Sequence, residues 1–321
     1  MLLEQQRLLS IEEITSVSSA EELRRDWSEL WERCPRATAF QTPEWQLAWW
    51  SAFGPEKELR IFALRENATS RLIGLLPAYF TTRDRMLMFI GAGVSDELDI
   101  LAEEQFRDIA AGVFLRELRT QPNVCEFVPL PESSPLARDA SFFDVAPALN
   151  LADPLPASLR QNIRYYRRRA QKLGPLAFER AQEGNFDELF RALLHLHRLR
   201  WQEREQRGVL HDRDVQHFHF HAARALLRRG ILRLYALRLG VNIVASFYGF
   251  LHAGRMMYYI GGFHPEFEQL SLGTLLIAHA IDEAKREQAR EFTFLRGAER
   301  YKYLWGASDR RLFSLRLTHG A

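Results

Sequence analysis

The pattern of apolar and polar positions in the second half of the chain predicts strands followed by a helix. Three strand-like runs, separated by short turns, predict an antiparallel meander. These strands are expected at Ile231–Leu239, Ile243–Leu251 and Arg255–Ile260. A helix follows, because apolar residues recur at Ile277, Ile281 and Ala284 while charged residues occupy the other face. Further strands are predicted at Glu291–Leu295 and near Arg311–Leu317.

The first half of the chain repeats this order of strands, turn, helix and strand. Its strand-like runs lie at Leu59–Leu64, Leu72–Phe80, Met86–Ile90 and Val124–Val128. A glycine turn and the acidic turn Ser95–Asp99 lead into a helix at Glu104–Thr120. Two more helices are predicted upstream, at residues 20–33 and directly after Thr42-Pro43, where proline occupies the first turn.

The length of the chain also favours two units. A chain of 321 residues suits two domains better than one. The proline-marked segment Asn150–Pro156 is the predicted boundary, which gives an N-terminal unit of residues 1–152 and a C-terminal unit of residues 153–321. The halves share no visible sequence identity, so the predicted repeat is one of architecture.

Composition narrows the class of protein. A hydrophobic content of 47% with 26% charged residues is ordinary for a folded globular protein. The net charge of +2 gives no general attraction to nucleic acid. Cys34 and Cys125 are too few for a disulfide framework or a metal cluster. The N-terminus lacks the apolar core of a signal peptide, and no apolar run approaches the ~20 residues of a membrane-spanning helix. We therefore expect a cytoplasmic protein without a metal.

Three helices are predicted between the boundary and the meander. They lie at Leu159–Lys172, Phe186–Arg204 and Val215–Arg229. The first is strongly basic, which is typical of a solvated helix face, of a site for an anionic acceptor, of a membrane surface, or of contact with a nucleic-acid backbone. The histidines near the third helix do not predict a metal site, because only His217 and His221 share a helical face.

The turn that follows the meander is a candidate anion site. The last strand ends in Gly261-Gly262, and the helix begins after the small-residue corner Ser271-Leu272-Gly273-Thr274. Unpaired backbone N–H groups and the helix dipole attract phosphate without any charged side chain. A plain helix cap is the alternative interpretation of the corner, and a simple bulge is the alternative for the paired glycines.

This arrangement resembles the acyltransferase fold of the GNAT superfamily, in which the turn and helix bind the pyrophosphate of coenzyme A. The segment FTFLRGAERYKYLWG (residues 292–306) is similar to the signature of the CelD-like branch, which is related to Fem-type peptidyltransferases. The matching residues are Phe292, Phe294, Arg296, Gly297, Glu299, Tyr301, Lys302 and Trp305. The sequence departs from the branch at Thr293, where an aspartate is usual, at Ala298, which is often acidic, and in a corner without the usual proline. The resemblance implies an α/β (α+β) fold of two tandem GNAT-like units, each a mixed, mostly antiparallel sheet flanked by helices.

The resemblance also implies roles in the C-terminal unit. The cofactor-binding candidates are Gly261, Gly262, Ser271, Gly273, Thr274 and Arg296. The catalytic candidates are His264, Glu299, Tyr301 and Lys302. Attack of an amine on a thioester requires removal of a proton from the amine, a donor to the carbonyl oxygen, and an acid near the leaving thiolate. His264 and Glu299 are candidate bases, Tyr301 is a candidate acid, and Lys302 suits a carboxylate or phosphate partner.

The candidate substrate-binding residues lie mostly in the N-terminal unit. Gln41 and Trp45 match an F-Q-x-P-x-W run near the substrate cleft of the CelD-like branch, with a core helix as the alternative. Asp96 and Asp99 occupy the position of the first unit's phosphate turn, where carboxylates would repel pyrophosphate. That unit is expected to have lost cofactor binding and to offer an acid to the acceptor, although simple capping is an alternative. Arg164 of the basic helix is the fifth candidate.

Together these features predict an acyl-CoA-dependent N-acyltransferase that uses acetyl-CoA or a longer acyl-CoA. The resemblance implies a small-molecule or lipid-linked amine or hydroxyl acceptor, such as a cell-envelope polysaccharide precursor or a long-chain amine as in bacterial ceramide synthesis. Residues 159–172 offer peripheral contact with the inner face of a membrane, and no specific nucleic acid is expected. The alternatives are aminoacyl-tRNA-dependent Fem-type transfer and a non-catalytic GNAT-like scaffold.

Overall fold

The structure, a computed structural model, describes residues 8–121, 123–202 and 205–318. The chain forms two compact units, of which the first comprises Met1–Val145 with Arg310–Ala321 and the second comprises Ala146–Asp309. The predicted division at residue 152 therefore differs from the observed one. The difference arises because the strand at Arg311–Leu317 pairs with two strands of the first unit, on either side of it, while Ala148–Asn150 pairs with Glu291–Thr293 of the second unit.

The first unit is built on a mixed sheet. Its described strands are β1 (Leu9–Ile14), β2 (Lys57–Glu66), β3 (Leu72–Thr81), β4 (Leu87–Phe89), β5 (Leu101–Ala102), β6 (Cys125–Pro131), β7 (Ser141–Val145) and β14 (Arg311–Leu317). The sheet runs in the order β1-β2-β3-β4-β6-β14-β7, with β5 paired to β3. The pairing of β4 with β6 is parallel and the other pairings are antiparallel.

Helices flank this sheet and include the crossover between its parallel strands. They are α1 (Val17–Glu22), α2 (Arg24–Glu32), α3 (Pro43–Phe53) and α4 (Arg107–Thr120). The predicted start of α3 is confirmed, because Pro43 is its first residue and the Thr42 side chain accepts a hydrogen bond from the Trp45 amide. The helix predicted at residues 20–33 is divided near Leu23, where α1 ends and α2 begins.

The sheet of the second unit contains the predicted meander. Its described strands are β8 (Ala148–Asn150), β9 (Leu176–Arg180), β10 (Leu232–Leu239), β11 (Asn242–His252), β12 (Arg255–Phe263) and β13 (Glu291–Thr293). Their order is β8-β13-β12-β11-β10-β9, and only β12 and β13 pair in parallel among them. Pairing with β13 stops at Met257, whereas β12 continues to Phe263. The last six residues of β12 therefore leave one edge open to a ligand.

Helices cover both faces of this sheet. They are α5 (Ala157–Gln171), α6 (Phe186–Gln202), α7 (Arg213–Arg228), α8 (Leu272–Arg286) and the short α9 (Arg300–Tyr303). Gly262 faces the backbone of α6, while the next residue, Phe263, faces Gly273 of α8. Successive strand residues point to opposite faces, so α6 and α8 lie on opposite sides of β12. The predicted end of α6 at residues 203–204 lies outside the described residues.

The predicted fold class is confirmed, with two mixed sheets flanked by helices. In the second unit the core lies between α8 and the sheet, where Leu275, Ala280 and Ile281 are fully buried. None of the described helices combines the length and the apolar character that crossing a membrane requires.

Candidate active site

A cavity of about 270 Å³ opens in the second unit, where β12 continues past β13 beside the start of α8. Its lining residues are Leu159, Arg200, Ser246, Phe247, Tyr258, Gly261, Gly262, Phe263, Gly273, Thr274, Leu276, Ile277, Tyr301, Leu304 and Trp305. Five of the predicted site residues are among them. These are Gly261, Gly262, Gly273, Thr274 and Tyr301. The fold therefore brings the glycine end of the strand, the start of the helix and a tyrosine to one cavity.

Helix α8 begins without a side-chain cap. Ser271, the residue before the helix, has left-handed backbone angles (φ 47°, ψ 48°), and its side chain makes no capping hydrogen bond. The first backbone bond of the helix runs from the Leu275 amide to the Ser271 carbonyl at 3.2 Å. Within the described ranges, the amides of residues 272–274 have no acceptor. These donors and the helix dipole favour an anion at this end of the cavity.

Gly273 keeps the space in front of the helix open. A Cβ added at this position would meet only the Phe263 ring, at 3.6 Å, which is an ordinary van der Waals distance. Packing therefore does not require glycine at position 273. A larger side chain there would instead extend toward the cavity that Gly273 lines.

The other two glycines serve packing as well as the cavity. A Cβ on Gly262 would lie 2.6 Å from the His197 backbone nitrogen of α6. A Cβ on Gly261 would collide with the Tyr258 hydroxyl. Gly262 thus allows α6 to approach the sheet, and Gly261 makes room for a tyrosine that lines the cavity.

Two tyrosines and an arginine supply most of the polar side chains in the cavity. Burial raises the pKa of both Tyr258 and Tyr301, so both phenols stay protonated and can donate hydrogen bonds. Arg200 of α6 donates to the Gly261 carbonyl over 3.4 Å and lies 5.2 Å from the Phe263 ring centroid. The Nε atom of Arg200 is buried and has no hydrogen-bond partner in the described part of the chain.

Sequence reasoning did not identify Arg200, Ser246 or Tyr258. A signal for Arg200 existed, because it follows Leu193 and Leu196 at i+7 and i+4 and so shares the buried stripe of α6. A charged residue on such a stripe indicates either a partner or a cavity. Ser246 and Tyr258 carried no comparable signal, since both occupy positions that are ordinary in a strand.

The comparison with known families covers this site almost completely. Residues 157–303 match the family described as the acetyltransferase (GNAT) domain. Residues 157–303 form a GNAT domain. It extends from the first residue of α5 to the last residue of α9 and contains every lining residue except Leu304 and Trp305. A domain of this family makes the chain a transferase, and the predicted superfamily is confirmed for residues 157–303. The CelD-like branch stays a prediction.

Solved structures resemble the chain in fold over nearly its whole length. FemX has a TM-score of 0.66 at 10% identity, with 96% of this chain and 97% of that chain covered. The C-terminal domain of a putative lysylphosphatidylglycerol synthetase from Agrobacterium fabrum has a TM-score of 0.63 at 11% identity, with 94% and 92% covered. L-PGS from Bacillus licheniformis has a TM-score of 0.63 at 13% identity, with 97% and 95% covered. No curated protein matches the sequence. At these identities the likeness shows the fold alone.

Lys302 organises the loop of the GNAT domain that follows β13. Its side chain is 2% exposed, and Nζ donates to the carbonyls of Leu295, Arg296 and Gly297 at 3.1, 2.7 and 2.9 Å. Nζ also lies 2.8 Å from a carboxylate oxygen of Glu299. A lysine has three N–H donors, and all of them are engaged here. Through these contacts Lys302, which the sequence predicted as a catalytic residue, holds the backbone of residues 295–297 in position.

Thr293 supports the same loop from the end of β13. Its buried hydroxyl accepts a hydrogen bond from the Leu295 amide at 3.1 Å. An aspartate at this position would offer the same kind of acceptor. The departure of the sequence from the CelD-like pattern at Thr293 therefore leaves the loop hydrogen bond in place.

The remaining predicted residues of the GNAT domain lie outside the cavity lining. His264 has a 29% exposed side chain, and its Nδ1 lies 3.7 Å from a carboxylate oxygen of Glu266. Glu299 is 59% exposed, and Arg296 is exposed. Ser271 precedes α8 without lining the cavity, and Arg164 lies on the exposed face of α5. None of these side chains lines the cavity, but the Glu299 carboxylate lies close enough to add, after burial, to the raised pKa of Tyr258 and Tyr301.

In the first unit, the predicted substrate-binding residues Gln41 and Trp45 are buried and hydrogen-bonded internally. The Trp45 indole donates to the Ser95 hydroxyl at 2.9 Å, and the Gln41 amide donates to the Asp99 carbonyl at 2.9 Å. Both side chains thereby anchor the acidic turn. Their prediction as substrate-binding residues finds no support in these contacts, and the core-helix alternative fits the observed burial.

Asp99 is also part of this buried network. Its carboxylate accepts hydrogen bonds from the Ser134 hydroxyl at 2.6 Å and from the Ile100 amide at 2.8 Å. Burial raises its pKa to about 6, although Arg107 nearby opposes the shift. The carboxylate is therefore held inside the unit, which agrees with the capping alternative. Asp96 is half-buried in the same turn.

The described residues contain no group of three or more His, Cys, Asp or Glu side chains that could hold a metal ion. His217 and His221 do share a face of α7, with their Nε2 atoms 3.0 Å apart.

Proposed function

We propose that the chain is an acyl-CoA-dependent N-acyltransferase whose GNAT domain binds coenzyme A at the start of α8. The observation that supports this proposal is the uncapped first turn of α8 opening into the 270 Å³ cavity. The free amides suit the diphosphate. The open edge of β12 beyond Met257 offers backbone groups to an extended, amide-bearing chain such as pantetheine.

The residues of the cavity account for two parts of the reaction. Backbone N–H groups on the open edge of β12 are available to the thioester oxygen as charge develops there. When the amine forms its bond to the carbonyl carbon, the carbon–sulfur bond breaks and the thiolate accepts a proton. Tyr301 is the proposed donor, because its raised pKa keeps the phenol protonated, and solvent then restores its proton.

The two candidate bases of the sequence prediction lie outside the cavity lining. In the described structure, no carboxylate or imidazole lines the cavity. We therefore propose that the amine enters uncharged, or loses its proton to His264 or Glu299 at the margin. For a free amine in bulk solvent, the rate would then rise with pH toward the pKa of the amine.

Thermal unfolding with coenzyme A, acetyl-CoA and palmitoyl-CoA tests the proposal. A ligand at 100 times its Kd adds roughly 2.7 kcal/mol to the free energy of unfolding, which raises Tm. We expect a rise with at least one of the three ligands. Unchanged Tm with all of them would contradict the proposal.

Aminoacyl-tRNA-dependent transfer is the second candidate function. Exposed α5 favours it, because four of its arginines have no carboxylate partner among the residues that the structure describes. They are Arg160, Arg164, Arg167 and Arg168. The fold-level likeness to FemX is compatible with the same function. This candidate predicts tRNA binding that weakens steeply with salt, and no change of Tm with coenzyme A.

We place the acceptor among precursors of the cell envelope, either polysaccharide or lipid-linked. The sequence resemblance supports this class, and the exposed arginines of α5 would suit contact with an anionic membrane surface on the cytoplasmic side. Cosedimentation with anionic vesicles, compared with neutral ones, tests the membrane contact.

A further inference from the structure

Strand β12 carries one extra residue opposite β11, next to the cavity of the GNAT domain. The register of the two strands shifts after the pair of Tyr258 with Gly249, and Tyr259 is left without a counterpart. A bulge of this kind changes the face to which the residues before it point. Tyr258 therefore points to the same face as Gly261, although three positions separate the two residues.

The hydroxyl of Tyr258 lies over the backbone of Gly261, where a Cβ would collide with it. The Tyr258 ring stacks on Phe247, the cross-strand partner of Gly261, with ring centroids 4.7 Å apart and planes inclined by 13°. All three residues line the cavity. The stack thus holds the phenol beside the part of β12 that has passed the end of β13.

The charges around Tyr258 suit a donor that faces developing negative charge. Burial raises the pKa of Tyr258, so the phenol stays protonated. Arg200, which contacts the Gly261 carbonyl at 3.4 Å, opposes that rise in pKa through its positive charge and so lies close to the phenol oxygen. Glu299 adds to the rise, but its carboxylate lies 2.8 Å from Lys302 Nζ, which offsets its charge.

The fold leaves the hydrogen of this phenol for a ligand. Arg200 can only donate hydrogen bonds, and no described residue accepts one from the Tyr258 hydroxyl. The other phenol of the cavity is close by, because Tyr258 adds, after burial, to the raised pKa of Tyr301. Two protonated phenols therefore lie together beside the open edge of β12.

We propose that Tyr258 is a second catalytic residue, a side-chain donor to the carbonyl oxygen of the bound thioester. The inference rests on the function proposed above and adds this donor to the backbone N–H groups of β12. As the amine bonds to the carbonyl carbon, an electron pair of the carbonyl moves to the oxygen, where the Tyr258 hydroxyl and the charge of Arg200 stabilise it.

The rest of the reaction leaves Tyr258 unchanged. The electron pair returns to re-form the carbonyl, the carbon–sulfur bond breaks, and the thiolate takes its proton from Tyr301. The nitrogen loses its surplus proton to solvent or to a base at the margin of the cavity. Tyr258 keeps its own proton throughout, so its contribution is a hydrogen bond that strengthens as the oxygen becomes negative.

The carbonyl stretching frequency of a bound acyl-CoA tests this hydrogen bond directly. Infrared difference spectra of isotope-labelled and unlabelled thioester are recorded on the full chain without an amine, with acetyl-CoA or palmitoyl-CoA, whichever raises Tm more. Tyr258→Phe removes the hydroxyl and keeps the ring that stacks on Phe247. We expect the carbonyl band at higher wavenumber in this variant than in the parent protein, because a hydrogen bond weakens the carbon–oxygen double bond.

Tyr248→Phe is the matched control. Tyr248 follows Phe247 on β11 and so lies on the other face of the sheet, outside the cavity lining. Its hydroxyl is also buried and has no hydrogen-bond partner in the described part of the chain. This variant should keep the carbonyl band of the parent protein.

Thiol release from the same acyl-CoA, with hydroxylamine as the amine, gives the second readout. We expect kcat to fall about a hundredfold in Tyr258→Phe, with KM and coenzyme A affinity nearly unchanged, and the parent rate in Tyr248→Phe. An unshifted band or an unchanged rate in Tyr258→Phe, with normal coenzyme A binding, would overturn this inference alone. No coenzyme A binding by the parent protein would overturn the proposed function and this inference with it.

Discussion

The two units contain the same crossover, but the space beside its turn differs. In the first unit β4, α4 and β6 form a parallel strand–helix–strand crossover, and in the second unit β12, α8 and β13 do so. The cavity lined by the acidic turn of the first unit measures about 10 Å³, against about 270 Å³ at the start of α8, and a separate, open cavity of about 370 Å³ lies beside Arg107 and Asp108 at the start of α4. Trp45, Gln41 and Asp99 occupy the first turn with internal hydrogen bonds.

This difference shows that topology alone does not make a binding site. Polar groups buried in the first turn find partners within their own unit, whereas the amides of residues 272–274 have none among the described residues. A buried site for a ligand requires donors that the fold leaves unused. The comparison can be tested by truncating Trp45 in the first turn and by changing Tyr301 or Gly273 in the cavity of the second unit. It can also be tested by measuring how stability depends on the pH at which the buried carboxyl of Asp99 titrates.

Trp45→Ala is expected to have the largest effect on stability. Trp45 is 0% exposed, and its loss would open a cavity and leave the Ser95 hydroxyl without its donor. We expect the free energy of unfolding to fall by about 3–5 kcal/mol in urea titrations. The half-buried Trp50 provides a control, since Trp50→Ala should cost less. Equal, small losses would show that Trp45 does not fill the first turn as described.

Tyr301→Phe is expected to affect catalysis and to spare binding. The hydroxyl makes no hydrogen bond with a described residue, so its removal should leave Tm and coenzyme A affinity nearly unchanged. We expect the rate of thiol release from an acyl-CoA to fall at least about a hundredfold. Tyr303→Phe is the control, because that hydroxyl donates to Asp309 at 2.8 Å outside the cavity. Equal rates in both variants would remove Tyr301 from the mechanism.

Asp99 is expected to give a smaller, pH-dependent effect. Its pKa in the folded state, about 6, lies above the ordinary value of 3.8, so the folded protein holds this proton more tightly. The stability contributed by protonated Asp99 is complete below pH 3.8 and is lost as the pH rises to about 6. Asp99→Asn should remove this loss. Between pH 3.8 and about 6, the free energy of unfolding should therefore fall by roughly 1–3 kcal/mol more in the parent protein than in the variant. Parallel stability–pH curves for the two proteins would contradict the assignment.

The sequence predicted the local elements well because their signals are local. The start of α3 at Thr42-Pro43 and the apolar stripe of α8 both depend on residues a few positions apart. The return of β14 to the first sheet was missed, since pairing with β6 joins residues about 185 positions apart and leaves no local trace.

The candidate site was predictable only in part. Its glycines and Tyr301 follow a recognisable order along the chain, but Arg200 reaches the cavity from α6 through the packing of Gly262 against that helix. The sequence predicted a catalytic role for Lys302 because it is a charged residue in a loop that resembles a functional signature. Its three carbonyl partners exist only once Leu295 and Gly297 adopt left-handed backbone angles (φ 56° and 105°).

Coenzyme A binding by two variants at one position tests the central claim most directly. Gly273→Ala adds a Cβ in ordinary contact with Phe263, and Gly273→Glu adds a carboxylate in front of the amides that open α8. Calorimetric titration should give near-normal affinity for the alanine variant and a loss of at least about a hundredfold for the glutamate variant, with both proteins folded. Normal coenzyme A affinity in the glutamate variant would show that the diphosphate does not bind at this helix.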